Sequence, residues 1–304
     1  MLADRIVYLN GAFVGWDNAS VHIMSHSFGR GSAIFEVISC HSTDSGPVIF
    51  RLQEHIKRLF KSAQLLDMEL PLSQQEFYNA VAGTVKHNQL DRGFIKVICF
   101  YPQFSVDIVR PKEKLSVSVF ALDPAQDLGG GFSAVRSTTV GISKWRKLDP
   151  QTVPVAAKAA ANYLNGMVAR LDAAKRGFDH AIMLDTQGFI AEGGTESVFL
   201  VKGGQLMTPS LGTVLKSITR MSVLEAAKIV GIPCVEDLLQ PELIYEAEEL
   251  FLSCSPIKVL PVGQIEKRKL ESVPGPVTER VSALLQEITS GEDKRFSDWL
   301  YPVK

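Results

Sequence analysis

Pro154-Val155-Ala156-Ala157-Lys158-Ala159-Ala160-Ala161-Asn162-Tyr163-Leu164 sets one lysine among small apolar side chains, with a phenol five positions further on. A lysine amine attacks a carbonyl only when unprotonated, and apolar neighbours disfavour its charged form. Lys158 is therefore a candidate Schiff-base lysine. The same residues also fit a solvated lysine on an alanine-rich helix, because both residue types favour helices and most lysines lie on surfaces. What surrounds this stretch in the rest of the chain decides between the two.

At 304 residues the chain exceeds the size at which one core usually stops growing, so two domains are expected. Its 32 Lys plus Arg nearly balance 33 Asp plus Glu, with no basic block or acidic tail. That balance argues against nucleic acid or an anionic membrane as partner and leaves a small molecule. The cysteines Cys40, Cys99, Cys234 and Cys254 form no C-x-x-C pair, which suits a reducing cytosol. The first residues lack a leader pattern and no apolar run reaches the length of a membrane span. A cytosolic protein is expected.

Residues 6–13 read as a strand turning at Asn10-Gly11, a dipeptide suited to a tight hairpin. From Arg51 onward Leu52, Ile56, Leu59, Ala63 and Leu66 recur with the period of a helix buried on one face. Ser73 followed by Glu76 predicts a capping box opening a helix over 73–85. Strand-rich runs follow at 94–101 and 115–122. The stretch 123–132, with Pro124 and Gly129-Gly130-Gly131, reads as a linker. The expected division is 1–122, a linker at 123–132, and 133–304. In the second part the sequence predicts a strand near 134–142, a helix over about 156–176, strands at 181–184 and 197–201, and a helix over 219–230 closed by Gly231. Strands and helices mix without regular alternation, an α+β pattern.

Several residues are candidates for chemistry. Glu192, beside Gly193-Gly194, reads as a loop carboxylate open to a ligand or as a solvated turn acid. Ile218-Thr219-Arg220 precedes a helix whose first amides and dipole favour an anion, although Thr219 also fits an ordinary N-cap. Arg51 offers a guanidinium fork suited to phosphate. Gly29-Arg30-Gly31-Ser32-Ala33-Ile34 lacks the third glycine of a dinucleotide fingerprint, and neither a Walker loop nor a G-x-S-x-G elbow occurs. His22 and His26 have no companion ligands, so no metal is expected.

An aldehyde for Lys158, an anion for Arg51 and Thr219, and a cationic ring nitrogen for Glu192 are all supplied by pyridoxal 5'-phosphate. At this point the chain resembles the fold-type IV aminotransferases, which include branched-chain aminotransferases, D-amino acid aminotransferases and aminodeoxychorismate lyases. The blocks that carry the resemblance are His26 through Phe35-Glu36, Phe50-Arg51-Leu52-Gln53-Glu54-His55 with Arg58-Leu59, Lys158 to Leu164, Glu192 to Phe199, and Ile218-Thr219-Arg220. The resemblance implies a two-domain fold, with a small N-terminal α/β sandwich and a larger C-terminal pseudo-barrel, and a homodimer. It implies that Lys158 carries the cofactor and moves the substrate proton, Glu192 faces the ring nitrogen and Tyr163 the ring's phenolic oxygen. Arg51, Ile218, Thr219 and Ser255 would take the phosphate, with Phe35 and Ser255 near the substrate. Asn162-Tyr163-Leu164 is most similar to the branched-chain members, which implies transamination of branched-chain L-amino acids with a 2-oxo acid such as 2-oxoglutarate. D-amino acid transamination, an elimination of the lyase type, and cofactor binding without efficient turnover stay open. On the substrate side the chain departs from the branched-chain pattern, with Arg30 before the Phe-Glu block, Phe94 and Lys96 for a tyrosine and arginine, and Pro256 for a residue with an N–H. Arg30 or Lys96 is the candidate replacement charge for the substrate carboxylate, and each fits a surface pair as well.

Overall fold

The computed structural model describes residues 2–128 and 137–303. Contacts divide the chain into two compact units, Met1–Ser133 with Ala157–Ala161 and Glu287–Lys304, and Ala134–Ala156 with Asn162–Gln286. A single boundary at 123–132 would leave both inserted pieces in the second part. Strand pairing places them with the first instead. Of the expected linker, Asp123 caps a short helix, Pro124–Asp127, and 129–132 lie outside the described residues, as does the start of the strand expected from 134.

The first unit rests on an antiparallel sheet. Its β1 (Ile6–Leu9) turns into β2 (Ala12–Gly15) through Asn10 and Gly11, whose φ values of 49° and 96° are the left-handed ones that an Asn-Gly hairpin requires. Next come β3 (Ala33–Thr43), β4 (Gly46–Phe50), β5 (Gly93–Phe100) and β6 (Ser116–Leu122). The sheet runs from Leu300–Pro302 through β4, β3, β5, β6 and β1 to β2. The helices Leu52–Leu65 and Gln74–His87 pack on it. Leu52, Ile56, Leu59 and Ala63 share one buried cluster with Ile38, Ile95 and Val97 of the sheet, as the helical spacing predicts. Ser73 and Glu76 form both halves of the capping box.

Strand alternation also buries a charge. Glu36 on β3 is fully buried and accepts bonds from Arg58 at 2.8 and 2.6 Å, with His55 Nδ1 at 2.7 Å. Burial alone would raise the pKa of this carboxyl, but the Arg58 charge and the bonds from Arg58 and His55 outweigh it and hold the group at about 2. A carboxyl lowered from 4.5 to about 2 stabilises the fold above the higher value, and that stabilisation disappears as pH falls through the lower one. Glu36→Gln is therefore expected to cost about 3 kcal/mol near neutrality. In urea melts the deficit should shrink on acidification; a deficit independent of pH would mean that the buried charge is not the cause.

The second unit contains β7 (Thr138–Ile142), β8 (His180–Leu184), β9 (Ile190–Gly193), β10 (Ser197–Lys202), β11 (Gln205–Pro209), β12 (Cys234–Asp237), β13 (Glu249–Ser253), β14 (Leu260–Ile265) and β15 (Arg268–Lys269). Pairings run from β10 through β13, β14, β7 and β8 to β9, and the bridge between Glu192 and Ser197 returns to β10. The strands thus close into a barrel, with β11 and β12 continuing outward from β10. Val198 and Leu200, Leu250 and Leu252, and Leu260 and Val262 alternate into one buried cluster, the period-two signature of a packed barrel. Glu192 thus stands on a strand at the closure point, where the sequence pattern suggested a loop.

Two helices begin elsewhere than the sequence predicts. The α-helix expected from 156 starts at Tyr163, preceded by a 3-10 turn at Ala160–Asn162, and Lys158 itself stands outside any helix. The Ile218–Ile229 helix is capped by Ser217, whose side chain accepts the Arg220 N–H, so Thr219 lies inside the first turn. Among the described residues no helix is long and apolar enough to cross a membrane.

Candidate active site

Lys158 belongs to the first unit and its backbone is tied on both sides. Its N–H donates to Ser62 Oγ at 3.0 Å, and its carbonyl accepts the Phe35 N–H at 3.1 Å. Ser62 is itself buried, donating to the Arg58 carbonyl at 3.0 Å. Ala159 bridges Ile34, so the stretch forms a short continuation alongside β3. These bonds override the helix preference of the alanines, whose small side chains serve instead for close packing: Ala157 and Ala159 are buried. A Cβ on Gly31 would meet the Ala161 Cβ at 3.0 Å, and Gly31 also has φ 66°. Gly31, which looked like part of a failed nucleotide motif, is the residue that lets this segment approach.

The Lys158 Nζ lies 4.9 Å from the Phe35 ring centroid. Lys96 Nζ lies 5.0 Å from the same centroid, so Lys96 of β5 and Lys158 place two amines around the Phe35 ring of β3. Burial lowers the pKa of the Lys96 amine below the usual lysine value. Arg30 is tied differently, through bonds to the carbonyls of Val106 at 3.1 Å and Asp107 at 3.4 Å. Arg51 is buried at the N-cap of the Leu52–Leu65 helix, and its Nε donates to Glu54 at 2.8 Å.

In the second unit, Glu192 is mostly shielded. Its Oε1 pairs with Lys147 Nζ at 2.5 Å, and its Oε2 accepts the Leu215 N–H at 3.3 Å. Lys147 had no distinguishing sequence signal, because the two positions lie far apart in the chain. Ile218 and Thr219 occupy the start of the Ile218–Ile229 helix, where the first amides have no partner four residues back. Thr219 is 1% exposed. Together these groups make a helix start poised for an anion. Tyr163 is the first residue of the Tyr163–Lys175 helix. Ser255 lies in the turn after β13, its carbonyl accepting from Lys258 Nζ at 2.8 Å.

The turn beyond Glu192 depends on Gly166, which sequence reading passed over. A Cβ there would stand 2.0 Å from the Gly194 carbonyl oxygen, so the helix can cross the turn only with a bare backbone. In an open helix Gly→Ala gains about 1 kcal/mol. Here Gly166→Ala is expected to cost about 2 kcal/mol, through the overpacking that follows when helix and turn are forced apart. Urea unfolding measures it, and a stabilised variant would show that the two elements separate freely.

A family model described as amino-transferase class IV matches residues 33–265. The branched-chain-amino-acid aminotransferase of Escherichia coli (strain K12) is 32% identical over 299 residues, covering 98% of this chain and 97% of that protein. Among solved structures, a T.th. branched-chain amino acid aminotransferase complexed with N-(5'-phosphopyridoxyl)-L-glutamate superposes with a TM-score of 0.94 at 29% identity, over 100% of both chains. The branched-chain aminotransferase of the archaeon Thermoproteus uzoniensis with norvaline gives a TM-score of 0.93 at 30% identity, covering 99% of each chain.

Proposed function

From the premise that this chain belongs to the class IV aminotransferases, we propose that it is a pyridoxal 5'-phosphate-dependent transaminase moving the amino group of branched-chain L-amino acids to a 2-oxo acid such as 2-oxoglutarate. The observation that carries the reading is Lys158, whose amine lies against Phe35 on a backbone fixed at both its N–H and its carbonyl. The branched-chain names of the relatives support the donor. The phosphopyridoxyl-glutamate in the T.th. structure supports glutamate and 2-oxoglutarate as the other pair.

The residues fit the cofactor. Thr219, 1% exposed, stands on a helix start that favours a phosphate, and Glu192 offers a shielded carboxylate. When bound, pyridoxal phosphate supplies an aldehyde for an amine and a cationic ring that withdraws electron density from the substrate Cα. Lys158 Nζ is the residue that would hold the cofactor through its aldehyde, and as a free amine it would carry the substrate Cα proton as general base and acid. Glu192 would keep the ring nitrogen protonated, and the Tyr163 hydroxyl would bond the ring's phenolic oxygen. Arg51, Ser255, and the amides of Ile218 and Thr219 would hold the phosphate. Phe35 and Ser255 border the substrate. For its carboxylate we favour Lys96 over Arg30, because Arg30 is already bonded to Val106 and Asp107, and no carboxylate pairs with Lys96 among the described residues. Lys96→Met is expected to raise the KM for the amino acid about tenfold with little change in kcat. An unchanged KM would remove Lys96 from the substrate.

A second copy of the chain completes the reading. Phe28, Phe104, Val106 and Ile108 are each at least two-thirds exposed, and the Ser25–Phe104 bridge and the Arg30 bonds bring the two segments together. So much exposed apolar surface suits a homodimer contact. The free cysteines suit a cytosolic location. Assays with L- and D-amino acids and 2-oxoglutarate test the function: leucine, isoleucine and valine of the L series should yield oxo acid. Preferential consumption of D-amino acids, or pyruvate release from aminodeoxychorismate, would overturn the assignment.

A further inference from the structure

Arg51 has φ 51°, a left-handed backbone conformation that a non-glycine residue keeps only where its surroundings enforce it. The enforcing group is Trp299. Its carbonyl accepts the Arg51 N–H at 2.6 Å, and its indole centroid lies 4.1 Å from the guanidinium carbon. The strand that follows Trp299 is paired in register with the strand that precedes Arg51, Leu300 standing opposite Phe50. Trp299 is 6% exposed, with Phe296 and Phe50 edge-on to it at 4.5 and 5.9 Å. One residue near the end of the chain therefore holds both the backbone and the charged head of Arg51, while Glu54 holds its Nε.

We propose that Trp299 is a positioning residue for an anion site. By stacking under the guanidinium and fixing its backbone, it presents Arg51 already oriented to a phosphate-bearing ligand. The inference deepens the reading above and rests on its assignment of Arg51 to the cofactor phosphate. A guanidinium immobilised before binding loses little side-chain freedom when the ligand arrives, and tryptophan offers the best aromatic face for a cation. Affinity for the phosphate should thus depend on a side chain that need not touch it.

The test compares equilibrium dissociation constants for pyridoxal phosphate and for pyridoxal, which lacks the phosphate, followed by cofactor absorbance in the full-length protein. Trp299→Leu is expected to weaken pyridoxal phosphate about tenfold while leaving pyridoxal within about twofold. In an Arg51→Met background the same change should add nothing further. Equal weakening of both ligands, or of neither, overturns the positioning role. Should Trp299→Leu fail to fold, Trp299→Phe is expected to lose a few-fold in pyridoxal phosphate affinity alone, and a change that is not selective overturns the role equally. If Arg51→Met leaves the preference for the phosphorylated ligand intact, the assignment of Arg51 falls. If Arg51→Met abolishes the preference and the Trp299 variants do not alter it, only the present inference falls.

Discussion

Lys158→Ala is expected to reduce the transamination kcat by about 10⁴-fold, because in the proposed mechanism one nitrogen both attaches the cofactor and moves the substrate proton. Few substitutions at such a site separate chemistry from folding so well. The bonds that fix this segment use the peptide N–H and carbonyl of residue 158 and the bridge at Ala159, none of which needs the lysine side chain. Alanine also suits the crowded setting in which Ala157 and Ala159 are buried. The variant should therefore melt within a few degrees of the parent while losing turnover. Borohydride reduction of the loaded parent followed by peptide mapping should place the cofactor mass on Lys158, and the alanine variant should take up none. Activity within tenfold of the parent would exclude Lys158 from the mechanism.

Local pattern carried much of the fold. The helical spacing from Leu52 to Ala63, the Ser73 and Glu76 capping box and the Asn10-Gly11 hairpin involve residues within a few positions of one another, so their physics is written in adjacent letters. What escaped sequence reading depends on distant partners. Ala156 to Ala161 has helix-forming residues throughout, yet bonds to Ser62 and Phe35 tie Lys158 outside any helix and the α-helix begins only at Tyr163. Glu192 looked like a loop acid because the bridge to Ser197 that closes the barrel leaves no signal in its own neighbours. Glycines gave the same lesson in reverse. Gly129 to Gly131 attracted notice as a linker, while Gly31 stood out only within a dinucleotide motif that failed and Gly166 not at all, although one close approach demands each. The residues proposed to hold the cofactor were legible as a set because a single ligand would explain them together; their neighbours Lys147, Ser62 and Trp299 were not, since nothing in their types marks them.

Glu192→Gln is expected to lower kcat by about 10³-fold, equivalent to about 4 kcal/mol of barrier. Glutamine preserves the length of the side chain and can still accept the Leu215 N–H that now reaches Oε2 at 3.3 Å. It removes the charge and turns one of the two acceptor oxygens, which now face Lys147 and the Leu215 N–H, into an amide donor. A neutral amide holds a ring-nitrogen proton far less well than a carboxylate, so the electron-withdrawing capacity on which Cα proton removal depends is lost while binding through the phosphate remains. The competing account makes Glu192 a structural partner of Lys147, whose Nζ lies 2.5 Å away with both side chains mostly shielded. The two accounts differ in what the amide changes. A structural pair, once broken, strands the Lys147 ammonium and lowers the melting temperature by several degrees, with kcat little affected. A cofactor role lowers kcat at nearly constant KM, and Lys147→Met, which leaves the carboxylate in place, should retain most of the turnover that Glu192→Gln loses. If instead Glu192→Gln keeps kcat within about threefold of the parent while its melting temperature drops, Glu192 belongs to the barrel seam alone and the ring nitrogen must find its proton elsewhere.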